Sequence, residues 1–174
     1  MSGILRHLCF WLFAVCSLGN AAYASTQNVL PEYTLKAAFL YNFAVLTEWP
    51  EDSLSDRFEV CYFGNDAIGE ALEAIRDKRI NSRRINIRHL EAARDAKTCH
   101  LLFIGGIERF KMASIMDEIA QFPILTVTDN KAFSENGVAI FLRPEGQHLV
   151  FEIDAEAAKK VNLNISARLL RLAK

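Results

Sequence analysis

The sequence predicts a three-layer α/β sandwich of flavodoxin-like type, built on a mainly parallel sheet of about six strands with an antiparallel hairpin at its edge. Three observations predict it. After an opening helical stretch, strand-like and helix-like segments alternate three times, which implies parallel strands joined by crossovers. Residues 101–104 (LLFI) form an unbroken apolar run stopped by Gly105 and Gly106, as in a central parallel strand covered on both faces. Near the end, two strand-like runs are separated only by residues 143–148 (RPEGQH), too few for a crossover, so that pair is antiparallel.

The composition fits one domain plus a short leader: 174 residues, 51% hydrophobic and 24% charged. A formal net charge of −1 carries neither the footprint of a nucleic-acid binder nor a strong acidic bias. Within residues 1–24, Arg6 and His7 precede an apolar run over 8–18, and Ala22-Tyr23-Ala24 offers a small-residue cleavage site. That is the anatomy of a secretory signal peptide cut after Ala24, with an apolar run too short for an anchor. The residues before Cys16 make a poor lipoprotein box. Of four cysteines, Cys9 and Cys16 leave with the leader, while Cys61 and Cys99 stay. Two cysteines in an exported chain imply one disulfide; two buried free thiols would need a reducing compartment.

Residues 25–30 read as a lead-in and 33–50 (YTLKAAFLYNFAVLTEWP) as a helix that Pro50 ends. This helix is apolar nearly all round, interrupted by Lys36, Asn42, Thr47 and Glu48. At roughly 24 Å it falls short of the ~30 Å hydrocarbon core, so it does not span a bilayer. It needs cover on two sides: the sheet on one, and on the other either helices of its own domain or another protein. Phe39, Phe43 and Leu46 share a stripe and Tyr41 lies nearly opposite, so one face is expected on the sheet and the other in an interface. Phe39, Tyr41, Phe43 and Trp49 are the expected anchors there.

A polar connection (51–57) leads to a strand at 58–63, then a helix from Asp66, its expected N-cap, to Asp77. Residues 78–84 read as a basic turn, 85–90 as a strand and 91–97 as a short helix. After the LLFI strand come a helix over 107–121, a strand over 124–128 and a loop over 129–137 with a helical turn at 131–133. Strands at 138–142 and 149–153 make the hairpin. Alternation turns Phe151 and Ile153 toward a closing helix through Ile165, Leu169 and Leu172. Glu152 then faces the other way, with Arg143 as its candidate partner. Asp154 caps the closing helix, which pauses near Asn162 and resumes at Asn164, a second cap, through Leu172.

In an open parallel sheet, ligands favour the carboxyl ends of the strands. That points to a crevice of Asn65, Asp66, Gly105, Gly106 and Asp129, although turns collect such residues for purely structural reasons. Known motifs fail there. Gly64 and Gly69 have phosphate-loop spacing, but Glu70-Ala71 replaces the lysine and hydroxyl residue. Asp66 stands where a dinucleotide fingerprint needs glycine, and Gly105 where a phosphate receiver needs its aspartate. His89, His100 and His148 are scattered, so no metal, cofactor or catalytic set is expected. The basic run Arg76, Lys78, Arg79, Arg83, Arg84 and Arg88 reads as a solvated turn and strand start.

Together EYTLKAAFLYNFAVLTEWP, Cys61 in the first strand, Cys99 just before LLFI, LTVTD, Phe133, Gly137 and the closing FEID-AEAAKKVNLNISARLLRLA resemble the YfiR family over residues 32–173. The resemblance implies a periplasmic bacterial protein with a small α/β fold, often dimeric. Its best-known member restrains a membrane-bound diguanylate cyclase by binding the cyclase's periplasmic part. It also places the family's disulfide on Cys61 and Cys99. A second cysteine pair found in some members is absent here. Asn162 stands where glycine is common and keeps the left-handed break. The expected function is therefore a non-enzymatic periplasmic homodimer that represses an inner-membrane diguanylate cyclase or sensor kinase, without nucleic acid or membrane insertion. Phe39, Tyr41, Phe43, Trp49, Arg143 and Glu152 are its expected contacts. A small-ligand module using the strand-end crevice is the second reading, and a hydrolase with a dispersed triad the third.

Overall fold

Strand-forming runs rich in β-branched and aromatic residues alternate with helices in the computed structural model, which describes residues 29–146 and 148–174. The expected leader, with Cys9 and Cys16, lies outside them. In order come α1 (Val29–Val45), β1 (Thr47–Glu48), β2 (Arg57–Phe63), α2 (Asp66–Leu72), β3 (Arg79–Ile80) and β4 (Arg83–His89). They are followed by β5 (Leu101–Ile104), α3 (Arg109–Ile119), β6 (Leu125–Thr128), β7 (Ile140–Glu145) and β8 (His148–Ile153). The chain closes with α4 (Ala155–Lys160), β9 (Asn164–Ile165) and α5 (Ala167–Leu170).

The main sheet has seven strands in the order β3-β4-β2-β5-β6-β7-β8. The five from β4 to β7 are parallel. Numbered along the chain they run 2-1-3-4-5, the flavodoxin order. Phe58, Val60 and Tyr62 turn to the face covered by α1, α2, α4 and α5. Cys61 and Phe63 turn to the face covered by α3 and a 3-10 turn at Ala93–Thr98. The three-layer α/β expectation holds.

Several local expectations need correction. The sheet gains a strand, because the 78–84 segment folds back as β3 on β4 around Asn81 and Ser82, at φ 48° and 67°. Two successive left-handed residues are what a tight hairpin turn requires. Most of 143–148 is ladder rather than connection, since β7 reaches Glu145 and β8 starts at His148. α1 ends at Val45, ahead of Pro50, because Thr47-Glu48 pairs antiparallel with Asn164-Ile165. Asn164 is therefore a strand residue; the cap of α5 is Ser166, whose Oγ accepts from Leu169 N at 3.3 Å. α2 is capped by Asn65, not Asp66, through Ala67 N at 2.8 Å. Leu172 is 62% exposed and does not pack on β8 as expected. The Asp154 cap and the left-handed break at Asn162 (φ 59°) are as expected.

Candidate functional site

The strand order reverses between β2 and β5, so a ligand crevice would open between the turns that follow them. Those turns touch instead. A Cβ on Gly64 (φ 103°) would stand 1.5 Å from the Gly105 carbonyl oxygen. The expected crevice residues are largely engaged within the chain. Asn65 caps α2 and donates from Nδ2 to the Tyr33 hydroxyl at 3.2 Å. Asp129 accepts from Lys36 Nζ at 2.7 Å. Asp66 is exposed, 3.9 Å from His89 Nδ1. What remains open is a shallow groove of about 380 Å³ beside Gly64 and Gly106, edged by His89, Glu108 and Lys111.

Lys36 was a mere polar interruption in the sequence, yet it is only 4% exposed. Its ammonium also meets Glu32 Oε1 at 2.6 Å and sits 4.7 Å from the Tyr33 ring centre. Burial alone would lower its pKa, but the bonds to Asp129 and Glu32 outweigh it and raise the pKa above its ordinary value. The first turns of α1 are thereby clamped over the carboxyl end of β6.

Neither of the two aromatic faces expected on α1 is simply inward. The buried arc runs through Lys36, Ala37, Leu40, Phe43 and Ala44, and Phe39 and Tyr41 flank it on opposite sides. Phe39 packs on Phe43 and Phe151, with ring centres 5.7 and 5.9 Å apart. The Tyr41 hydroxyl donates to the Arg79 carbonyl at 3.3 Å. Phe43, at 1% exposure, and Trp49, at 7%, are core residues, so their surfaces are taken up inside the monomer. Trp49 stacks edge-on against Phe58 and donates to the His100 carbonyl at 3.3 Å. The outward stripe of α1 is Leu35, Ala38, Asn42 and Val45.

On the hairpin, Arg143 Nε donates to Glu152 Oε1 at 3.0 Å, so the candidate partner of that carboxylate is the one it has. Arg143 also reaches Glu145, which Lys174 binds from the chain end. The disulfide joins Cys61 to Cys99, Cα atoms 5.9 Å apart, because β5 pairs directly with β2 and starts just after Cys99.

Residues 33–174 match the YfiR/HmsC-like family. The chain belongs to that family. No curated protein matches it. Besides Lys36, sequence reasoning passed over His100 in this YfiR/HmsC-like fold. His100 is 4% exposed and stacked on Phe58. Its Nδ1 accepts from Glu59 N–H at 2.8 Å, leaving Nε2–H to face the Ser53 carbonyl at 3.2 Å. A histidine directly before the apolar LLFI run was the available signal, and Glu32-Lys36 at helical i, i+4 spacing was the signal for the clamp. Among the described residues no group of three or more His, Cys, Asp or Glu could hold a metal ion. Nor is any described helix long and apolar enough to cross a membrane.

Proposed function

We propose that this YfiR/HmsC-like chain is a periplasmic regulator, exported by the leader expected at residues 1–24, which binds the periplasmic part of an inner-membrane diguanylate cyclase or sensor kinase and represses it. It does so without catalysing a reaction. The observation that carries this reading is the uncovered side of α1. Leu35 is 43% and Val45 44% exposed, with Ala38 between them and partly exposed Phe39 and Leu46 alongside. A helix apolar nearly all round, with its sheet-facing arc already filled, leaves this mostly apolar stripe, interrupted by Asn42, for another protein. The engaged state of Asn65 and Asp129 supports regulation over small-ligand binding.

The test is repression of a co-expressed inner-membrane diguanylate cyclase with a periplasmic part, in cells exporting the wild-type chain or Leu35→Asp with Val45→Asp. Repression should be lost in the double variant while its melting temperature holds. Undiminished repression by the double variant would remove α1 from the interface.

A further inference from the structure

The basic run that looked like a solvated turn is organised by the fold into a row. Arg79 pairs across the β3-β4 hairpin with Arg84, and Arg84 pairs in parallel register with Arg57 of β2. Paired positions share a face, so three guanidinium groups stand abreast on neighbouring strands, spanning roughly 10 Å at the usual strand spacing. Like charges directly opposite destabilise a sheet. The next row along the same face shows the ordinary remedy: Glu59 neighbours Asn86 and lies 3.8 Å from Arg88. The arginine row has no such remedy. Among the described residues, Arg57 and Arg84 are exposed with no carboxylate in ion-pair range, and Arg79 donates to the Ser82 carbonyl at 2.8 Å.

An open groove of about 560 Å³ lies against these three side chains, with Arg83 and the Asn81-Ser82 turn on its wall. Arg83 is held by the Ser55 and Asn81 carbonyls at 2.8 and 3.2 Å and by Glu51 at 3.0 Å. Asp56 is the one acidic residue on the lining. Residues 76–88 carry six basic side chains against the single acid Asp77, in a chain of net charge −1. The cationic charge is thus concentrated at the amino ends of β2 and β4, away from the strand-end turns.

We propose that the row Arg79-Arg84-Arg57 is a binding site for phosphate groups, taken two or more at a time. Guanidinium forks match phosphate oxygens with paired hydrogen bonds, and a row of three suits a run of phosphates better than one carboxylate. The phosphates come either from a surface of anionic lipid headgroups or from a soluble polyphosphate. The site is independent of the α1 stripe and of the repressor reading.

Flotation of the exported full-length product with vesicles of phosphatidylcholine, alone or mixed with phosphatidylglycerol, tests the lipid source. Melting with and without tripolyphosphate tests the soluble one. The comparison is wild type against Arg57→Gln with Arg84→Gln, and against Lys159→Gln with Lys160→Gln, which removes equal charge from α4. Binding to the mixed vesicles alone, weakened about fivefold per arginine removed and unchanged in the lysine variant, assigns the site to lipid headgroups. A melting rise with tripolyphosphate that disappears only in the arginine variant assigns it to a soluble phosphate. Without any anion the arginine variant should melt no lower than wild type, because it relieves repulsion. No response to either probe, or an equal loss in the lysine and arginine variants, overturns the proposal.

Discussion

Lys36 Nζ lies 2.7 Å from Asp129 Oδ2, joining the first helix to the end of a central strand 93 residues later. Lys36→Met should destabilise the fold by about 1–3 kcal/mol, below the value for a fully buried pair because both carboxylates keep some water. A double-mutant cycle with Asp129→Asn should show coupling between the two positions. With its folded pKa raised, Lys36 contributes stability that is fully present below about its ordinary 10.5 and is lost as pH rises through the folded value. Urea melts of wild type and Lys36→Met that keep a constant gap into strong alkali would contradict this.

His100 should make the protein acid-sensitive. Burial, the leading cause, lowers its pKa below 6.5, and protonation at Nδ1 would break the bond from Glu59 N–H. As pH falls below 6.5 the unfolded chain takes up a proton that the folded one resists. Stability is therefore full above 6.5 and declines on acidification. NMR titration of the imidazole, set beside melting temperatures across the same range, checks the coincidence.

Free-thiol titration of unfolded, unreduced protein lacking the leader should find no thiol at Cys61 or Cys99. Reduction should remove up to about 4 kcal/mol, the chain-entropy value for a loop of this size. Two reactive thiols would contradict both the bridge and the proposed export.

Substitutions on α1 should separate into two classes. Phe43→Ala, in the core, should cost roughly 3–5 kcal/mol and lower the melting temperature. Leu35→Asp should leave melting nearly unchanged and weaken self-association or partner binding, read by sedimentation with and without the partner's periplasmic part. Equal destabilisation by both would make the outer stripe ordinary core.

Glu152→Ala removes an exposed carboxylate from Arg143 and should not shift the melting curve. If the hairpin belongs to the regulatory surface, repression loosens in this variant; repression equal to wild type takes the hairpin out of the partner interface.

Much of the architecture was legible in local signals. The LLFI run stopped by two glycines marked β5 with its observed bounds, and the alternation of β8 turned Glu152 away from Phe151, to the face where Arg143, its candidate partner, binds it. Boundaries failed where a distant pairing overrode propensity. α1 looked helical to Pro50 until Thr47-Glu48 met Asn164-Ile165, and 78–84 looked like a turn until β3 found β4. The crevice residues were found at the strand ends as expected, but only the folded chain shows that the two turns touch and that Lys36 engages Asp129.

By itself the sequence determined the order of elements, the α/β class and the pair of cysteines available for a bridge, because these follow from periodicity, turn residues and composition. The tertiary structure alone decided which side of α1 faces the sheet, that Asp129 reaches Lys36, and that Arg57, Arg79 and Arg84 stand in one row. A helix apolar all round has no polar face to orient it, and a strand's neighbours are set by register with segments far along the chain. Those choices depend on long-range packing, which no local window of residues contains.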